Sequence, residues 1–172
     1  MEHLGRGTVT LLIALLLSAC TGARVISPFG ALTGSEGYPR VDGPHNGIDV
    51  AGLVGTPVLA VAEGTIVMAL EEARACGTMV RIRHLPFNYE STYCHLSEIT
   101  MRDGAVRRGD MIGRIGTTGR PPGPGYEHIH LNMKDPSRSD IDPEKVIVGC
   151  FDPKQTYPAD RFVATYPVPC KN

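Results

Sequence analysis

Two histidines flank one isoleucine in "HIHLNM", residues 128–133. Side chains alternate along an extended strand, so His128, His130 and Asn132 share one face, and Ile129, Leu131 and Met133 the other. The second face suits a core; the first sets two imidazoles side by side. Far upstream, "HNGIDV" carries His45 and Asp49 in an H-x-x-x-D spacing. On a strand His45, Gly47 and Asp49 share a face, and the glycine leaves space where a metal would sit. Gly/Pro-rich surroundings make "NGID" a poor helix. Imidazole and carboxylate are both good Zn²⁺ ligands, and three protein ligands plus a water make a catalytic rather than a structural site. Taken singly, H-x-x-x-D also fits a surface turn, and H-x-H a solvated strand face. Their co-occurrence in one small chain points to metal chemistry. A further histidine, His95, stands in "STYCHLSEI" after an aromatic strand and before a Leu-Ser turn.

The elements that must position these groups read as short strands. The chain has 172 residues, 42% of them hydrophobic, enough for one well-filled core. Its formal net charge of −1 offers no electrostatic reason to propose nucleic acid as a partner. Twenty glycines, fourteen prolines and no tryptophan favour strands and turns over a helix bundle. Residues 25–44 read as an irregular lead-in. "TPVLAVAEGTIVMAL", "TMVRIRH" and "STYCHL" are apolar, β-branched runs punctuated by Gly or Pro. "VRRGDMIGRIG" adds a turn at Gly109-Asp110, and "TTGRPPGPG" is a loop. Beyond Asp135 lies a tail of loops whose one short helix candidate is "DPEKVIVG". The economical fold is one compact, mainly β, mostly antiparallel domain with long loops.

"MEHLGRGTVTLLIALLLSAC" has a weakly basic start and an apolar run, residues 9–17, too short to span a bilayer, and reads as an export signal. Its ending "LSAC" resembles the bacterial lipobox, which implies lipidation of Cys20; a plain signal peptide is the alternative. Thr21 after that cysteine, by resemblance to enterobacterial lipoproteins, implies the outer membrane, with the protein in the periplasm. Four cysteines then remain in a compartment where disulfides persist. Cys76 and Cys94 would meet at the open end of a hairpin around "LPFN", and Cys150 with Cys170 would close the tail. A Cys₄ zinc site competes but lacks any C-x₂-C spacing.

"SPFG", "HNGIDV", "GTPVLAVAEGTIV", "TYCHLSEI", "GDMIGRIGTTGR" and "HIHLNM" occur in an order that resembles the lysostaphin/LytM-type zinc endopeptidases, from about Ser27 to Met133. The resemblance implies the duplicated hybrid motif fold. After the export segment over 1–19 and a lipidated linker over 20–26, both read from the residues, the resemblance implies a peptidase domain over 27–135. The Cys/Pro-rich tail over 136–172 has no counterpart in that family. It also implies one Zn²⁺ held by His45, Asp49 and His130, with His95 and His128 catalytic and peptidoglycan peptide bonds as the substrate. A histidine near its ordinary pKa of about 6.5 suits proton transfer from water, the role given to His128. His95 would orient the water, stabilise the oxyanion or protonate the leaving amine. Tyr38 is a candidate for contact with substrate, or a packed surface tyrosine. His84 is read as structural. Asn132 departs from the family, standing where an acid is common, and the loop before His128 is longer than usual. A non-catalytic module of the same type, which binds and activates a cell-wall amidase, is the competing function, and a regulatory protein partner belongs to either reading. Metal storage by a His-rich protein is a third reading, which requires neither His95 nor this order of motifs.

Overall fold

The computed structural model of the chain describes residues 23–34, 37, 39, 40, 43–120 and 125–170. Cys20 and Tyr38 lie outside them. The strands are β1 (Val25–Ser27), β2 (Gly47–Ala51), β3 (Pro57–Leu59), β4 (Gly64–Ala73), β5 (Gly77–His84), β6 (Tyr89–Ile99), β7 (Gly104–Val106), β8 (Met111–Ile115), β9 (His128–Lys134) and β10 (Asp140–Ile141). All pairings between them are antiparallel, and the main path runs β1-β2-β9-β6-β5-β4-β7.

Alternation explains β9. Ile129, Leu131 and Met133 are fully buried on one face, against Ile48 and Val50 of β2 and Tyr93 and Leu96 of β6. Burial of each such side chain is worth about 1.5–3 kcal/mol, so this face fixes the register of β9. In β5, Val80 and Ile82 point inward while Arg81 and Arg83 stay half-exposed. Arg83 faces Glu90 across the hairpin and donates to its carboxylate at 2.9 and 3.0 Å.

β6 is forked. Glu90–Cys94 pair with β9, and Leu96–Ile99 pair with β8 on the same edge. The residue at the fork is His95. On the other edge, the β5 pairing shifts between Thr78↔Leu96 and Val80↔Tyr93, so Cys94 and His95 together oppose Met79 alone. This β-bulge carries a left-handed backbone at His95, φ 66°.

The lead-in is more ordered than its composition suggests, since β1 pairs with β2 and Thr33 bridges Pro39. The helix expected around residues 142–149 is one 3₁₀ turn, Pro143–Lys145, capped by Asp142. Both expected disulfides are formed, Cys76–Cys94 and Cys150–Cys170. The tail is built into the core. Arg108 donates to the carbonyls of Val61 (2.7 Å) and Val163 (3.0 Å) and lies 4.1 Å from the Tyr157 ring centroid. Ala164 and Val168 are buried in the main core.

His84 is locked from both sides. Its Nδ1 donates to the Glu63 carbonyl at 2.8 Å and its Nε2 lies 2.7 Å from Ser91 Oγ. Burial pushes this imidazole down to about 4, against the pull of the Glu63 carbonyl. The folded chain therefore keeps His84 neutral where the unfolded chain, titrating near 6.5, takes up a proton. Stability should fall as pH drops from about 6.5 to about 4 and gain no further His84 penalty below. At ~1.4 kcal/mol per pKa unit the penalty reaches about 3 kcal/mol. Unfolding midpoints at pH 7 and 4.5 should differ less in His84→Gln than in the parent.

Gly47 yields a second prediction. A Cβ there would lie 2.3 Å from the Leu131 carbonyl oxygen and 2.9 Å from His130 Cε1. Gly47→Ala must push β2 from β9, a form of overpacking that costs about 1–3 kcal/mol. Denaturant unfolding should show that loss.

Candidate metal centre

Three donor atoms from distant parts of the chain converge on one point. His45 Nε2 lies 2.9 Å from His130 Nδ1 and 3.1 Å from Asp49 Oδ1, and His130 Nδ1 lies 2.9 Å from Asp49 Oδ1. The β2–β9 register sets Asp49 directly opposite His130. His45 enters from just before β2, held by main-chain bonds between its own N–H and the Ala31 carbonyl and between its carbonyl and the Gly30 N–H. The "SPFG" stretch is thus a brace for the first histidine: the Pro28 carbonyl accepts from His45 Nδ1 at 2.9 Å. That bond commits Nδ1 to its proton and leaves the Nε2 lone pair facing the other two donors.

This triangle fits a metal ion. Its sides of about 3 Å can be capped by an ion with bonds of about 2.0–2.2 Å, with one face left open. The group is buried, and among the described residues it is the one cluster of three or more such side chains with that spacing. Burial by itself would raise the Asp49 carboxyl. Close contact with the His130 and His45 imidazoles, with His128 nearby, outweighs it and holds the group well below the usual carboxylate range. Burial likewise lowers His130, against the pull of Asp49. An ionised carboxylate beside an imidazole that burial keeps from protonation suits metal binding, which requires deprotonated ligands.

His128 stands beside the triangle, its Nε2 3.4 Å from Asp49 Oδ1. Its Nδ1 donates to the Tyr126 carbonyl at 2.8 Å, so Nε2 is the open atom. The bulge brings His95 to the same side. Its ring meets that of His128 edge-on, with centroids 5.1 Å apart, and lies 6.3 Å from His130. His95 Nδ1 donates to the Thr118 carbonyl at 2.8 Å, again leaving Nε2 open. Burial pushes His95 down to about 4, so it is neutral at pH 7.

Sequence reading named the five residues that meet here. It missed their supports. Arg40 donates to Asp49 Oδ2 at 3.0 Å and to Ser27 Oγ at 2.9 Å, and no motif spacing marks it. Thr118 holds His95 by its carbonyl, while its hydroxyl bonds the Leu96 carbonyl and accepts from the Thr78 N–H. Asn132 shares the histidine face of β9 but bonds the Asn46 carbonyl and Asp140, steadying the backbone between His45 and Gly47.

Residues 43–143 match Peptidase family M23, which is more than half of the 172-residue chain. The DD-carboxypeptidase/endopeptidase Mpg of Neisseria meningitidis is 43% identical over 90 residues, covering 52% of this chain and 20% of Mpg. The chain spans about a fifth of the length of the curated relatives it matches. A zinc-containing peptidase from Vibrio cholerae superposes with a TM-score of 0.57 at 28% identity, covering 70% of this chain and 36% of that one. LytU superposes at 0.62 and 26% identity, covering 72% and 83%. All five clustered side chains lie inside the matched segment, and the chain belongs to peptidase family M23.

Proposed function

We propose that this chain is a zinc-dependent endopeptidase acting on peptide bonds in the stem peptides or cross-links of peptidoglycan. The observation that carries the reading is the convergence of His45 Nε2, Asp49 Oδ1 and His130 Nδ1 beside two imidazoles with open Nε2 atoms. Support for the substrate comes from relatives such as Mpg, named a DD-carboxypeptidase/endopeptidase. Zinc bound at the triangle would supply a Lewis acid that lowers the pKa of water and polarises a carbonyl.

The chain's own groups do the rest. His128 accepts the proton of the attacking water at Nε2, with its ring aimed by the Tyr126 carbonyl. The imidazolium so formed is stabilised by Asp49, 3.4 Å away. A neutral His95 whose Nδ1–H is committed to Thr118 is a hydrogen-bond acceptor at Nε2, so it orients the water in the ground state. Export and lipidation at Cys20, with anchoring in the outer membrane facing the periplasm, complete the proposal. "LSAC" and two disulfides support that location. Fatty-acid labelling of the full chain should be lost in Cys20→Ala.

Digestion of purified peptidoglycan, with products identified by mass spectrometry, tests the activity. Release of cleaved stem peptides is expected. A zinc-loaded chain that releases none, yet stimulates an amidase, would establish the non-catalytic role instead. His45→Ala, Asp49→Ala and His130→Ala should lose zinc and activity together. His128→Ala and His95→Ala should retain zinc while turnover falls by ~10²–10⁴-fold, the usual contribution of a positioned acid or base. Equal loss of zinc in the His128 and His130 variants would make both of them ligands.

A further inference from the structure

We propose that Arg40 is a positioning residue for the carboxylate of the metal centre: its guanidinium takes up Asp49 Oδ2 and leaves Oδ1 as the single oxygen offered to the ion. This rests on the metal-centre reading above. A carboxylate has two equivalent oxygens, and an unrestrained one can present either or chelate with both. Here they are differentiated. Oδ1 faces His45 Nε2 and His130 Nδ1, whereas Oδ2 accepts from Arg40 at 3.0 Å.

Arg40 is itself held in place. The nitrogen that bonds Asp49 also donates to Ser27 Oγ at 2.9 Å, and Nε donates to the Thr33 carbonyl at 3.3 Å. Ser27 is the β1 residue paired with Asp49, and its hydroxyl lies 3.3 Å from His45 Nδ1. Two ligands of the triangle are therefore braced from one side by the same short stretch of chain, through Pro28 and Ser27 on His45 and through Arg40 on Asp49. Asp49 is buried, with 5% of its side chain exposed. Without Arg40, Oδ2 would be a buried charged atom lacking its partner. The least costly remedy for that atom is a second bond to the ion.

Two effects of Arg40 on the ion oppose each other. Its positive charge repels a cation, while its hydrogen bonds fix the ligand. Arg40→Lys separates them, because lysine keeps the charge and loses the planar fork. Arg40→Met removes both.

The visible spectrum of the cobalt(II)-substituted chain reads the coordination number, since four-coordinate cobalt absorbs far more strongly than five-coordinate cobalt. Both variants should show a band several-fold weaker than the parent, as Asp49 turns to chelation. Arg40→Lys should also bind zinc about 10–100-fold more weakly in a chelator competition, the usual cost of losing a ligand's outer partner. Unchanged band intensity in the variants, or unchanged zinc affinity in Arg40→Lys, overturns the role. A parent chain that takes up neither cobalt nor zinc overturns the metal centre itself, a result distinct from the first. Thermal unfolding of the metal-free variants confirms that each is folded.

Discussion

The antiparallel pairing of β2 with β9 sets Asp49 opposite His130 and, on the other face, Ile48 opposite Leu131 and Val50 opposite Ile129. Because side chains repeat every second residue, a slip of one position would carry the imidazoles into the core and the aliphatic groups to the cleft. The donor geometry is thus specified by apolar burial on the side of the sheet it does not use. Gly47 completes the constraint. Only a residue without a Cβ lets the two strands approach where His130 folds over β2. The three candidate metal donors gain their spacing from the apolar core on the opposite face.

The second imidazole pair depends on a departure from regular pairing. Strict alternation along β6 would place His95 on the face opposite Cys94. The bulge and the fork turn it back toward His128 and His130. A left-handed backbone at a non-glycine residue costs about 1–3 kcal/mol and persists where neighbours over-determine it. The neighbours are identifiable. Gly116 donates to the His95 carbonyl, Thr118 accepts from its ring, and Cys94, the preceding residue, is bridged to Cys76. Gly77 and Gly119 pack so closely that a Cβ on either would lie about 2.4 Å from the other's segment. The Cys76 turn therefore presses on the strap that carries Thr118.

The tail performs a structural task at the far side of the core. Arg108 is nearly buried, and its cost is offset by two carbonyls and the face of Tyr157, groups that only residues beyond the sheet and the β3–β4 turn can bring to it. Phe162 stacks on Tyr89 and meets the ring of His84, closing the hairpin end of the sheet. The Cys150–Cys170 bridge fastens this layer to itself. Removing the tail would expose core residues and strip the Arg108 guanidinium of the Val163 carbonyl and the Tyr157 ring.

Much of this was legible in the residues themselves. Period-two alternation in "HIHLNM", the spacing in "HNGIDV" and the placing of cysteines at hairpin and tail ends are local properties, and each survives in the folded chain. The ordered "SPFG" segment was not legible as structure. β1 exists because its partner β2 is already held by β9, an energy absent from its own composition. Nor does sequence distance show Arg40 on Asp49, or the Thr118 carbonyl on His95, since a side chain reaching a ligand's second atom leaves no spacing to read. The sequence by itself determined which groups could bind a metal and which face they share on each strand. The tertiary structure alone decided that His95 joins them, because the positive φ and the bulge that turn it arise where β8 and β9 compete for one edge of β6.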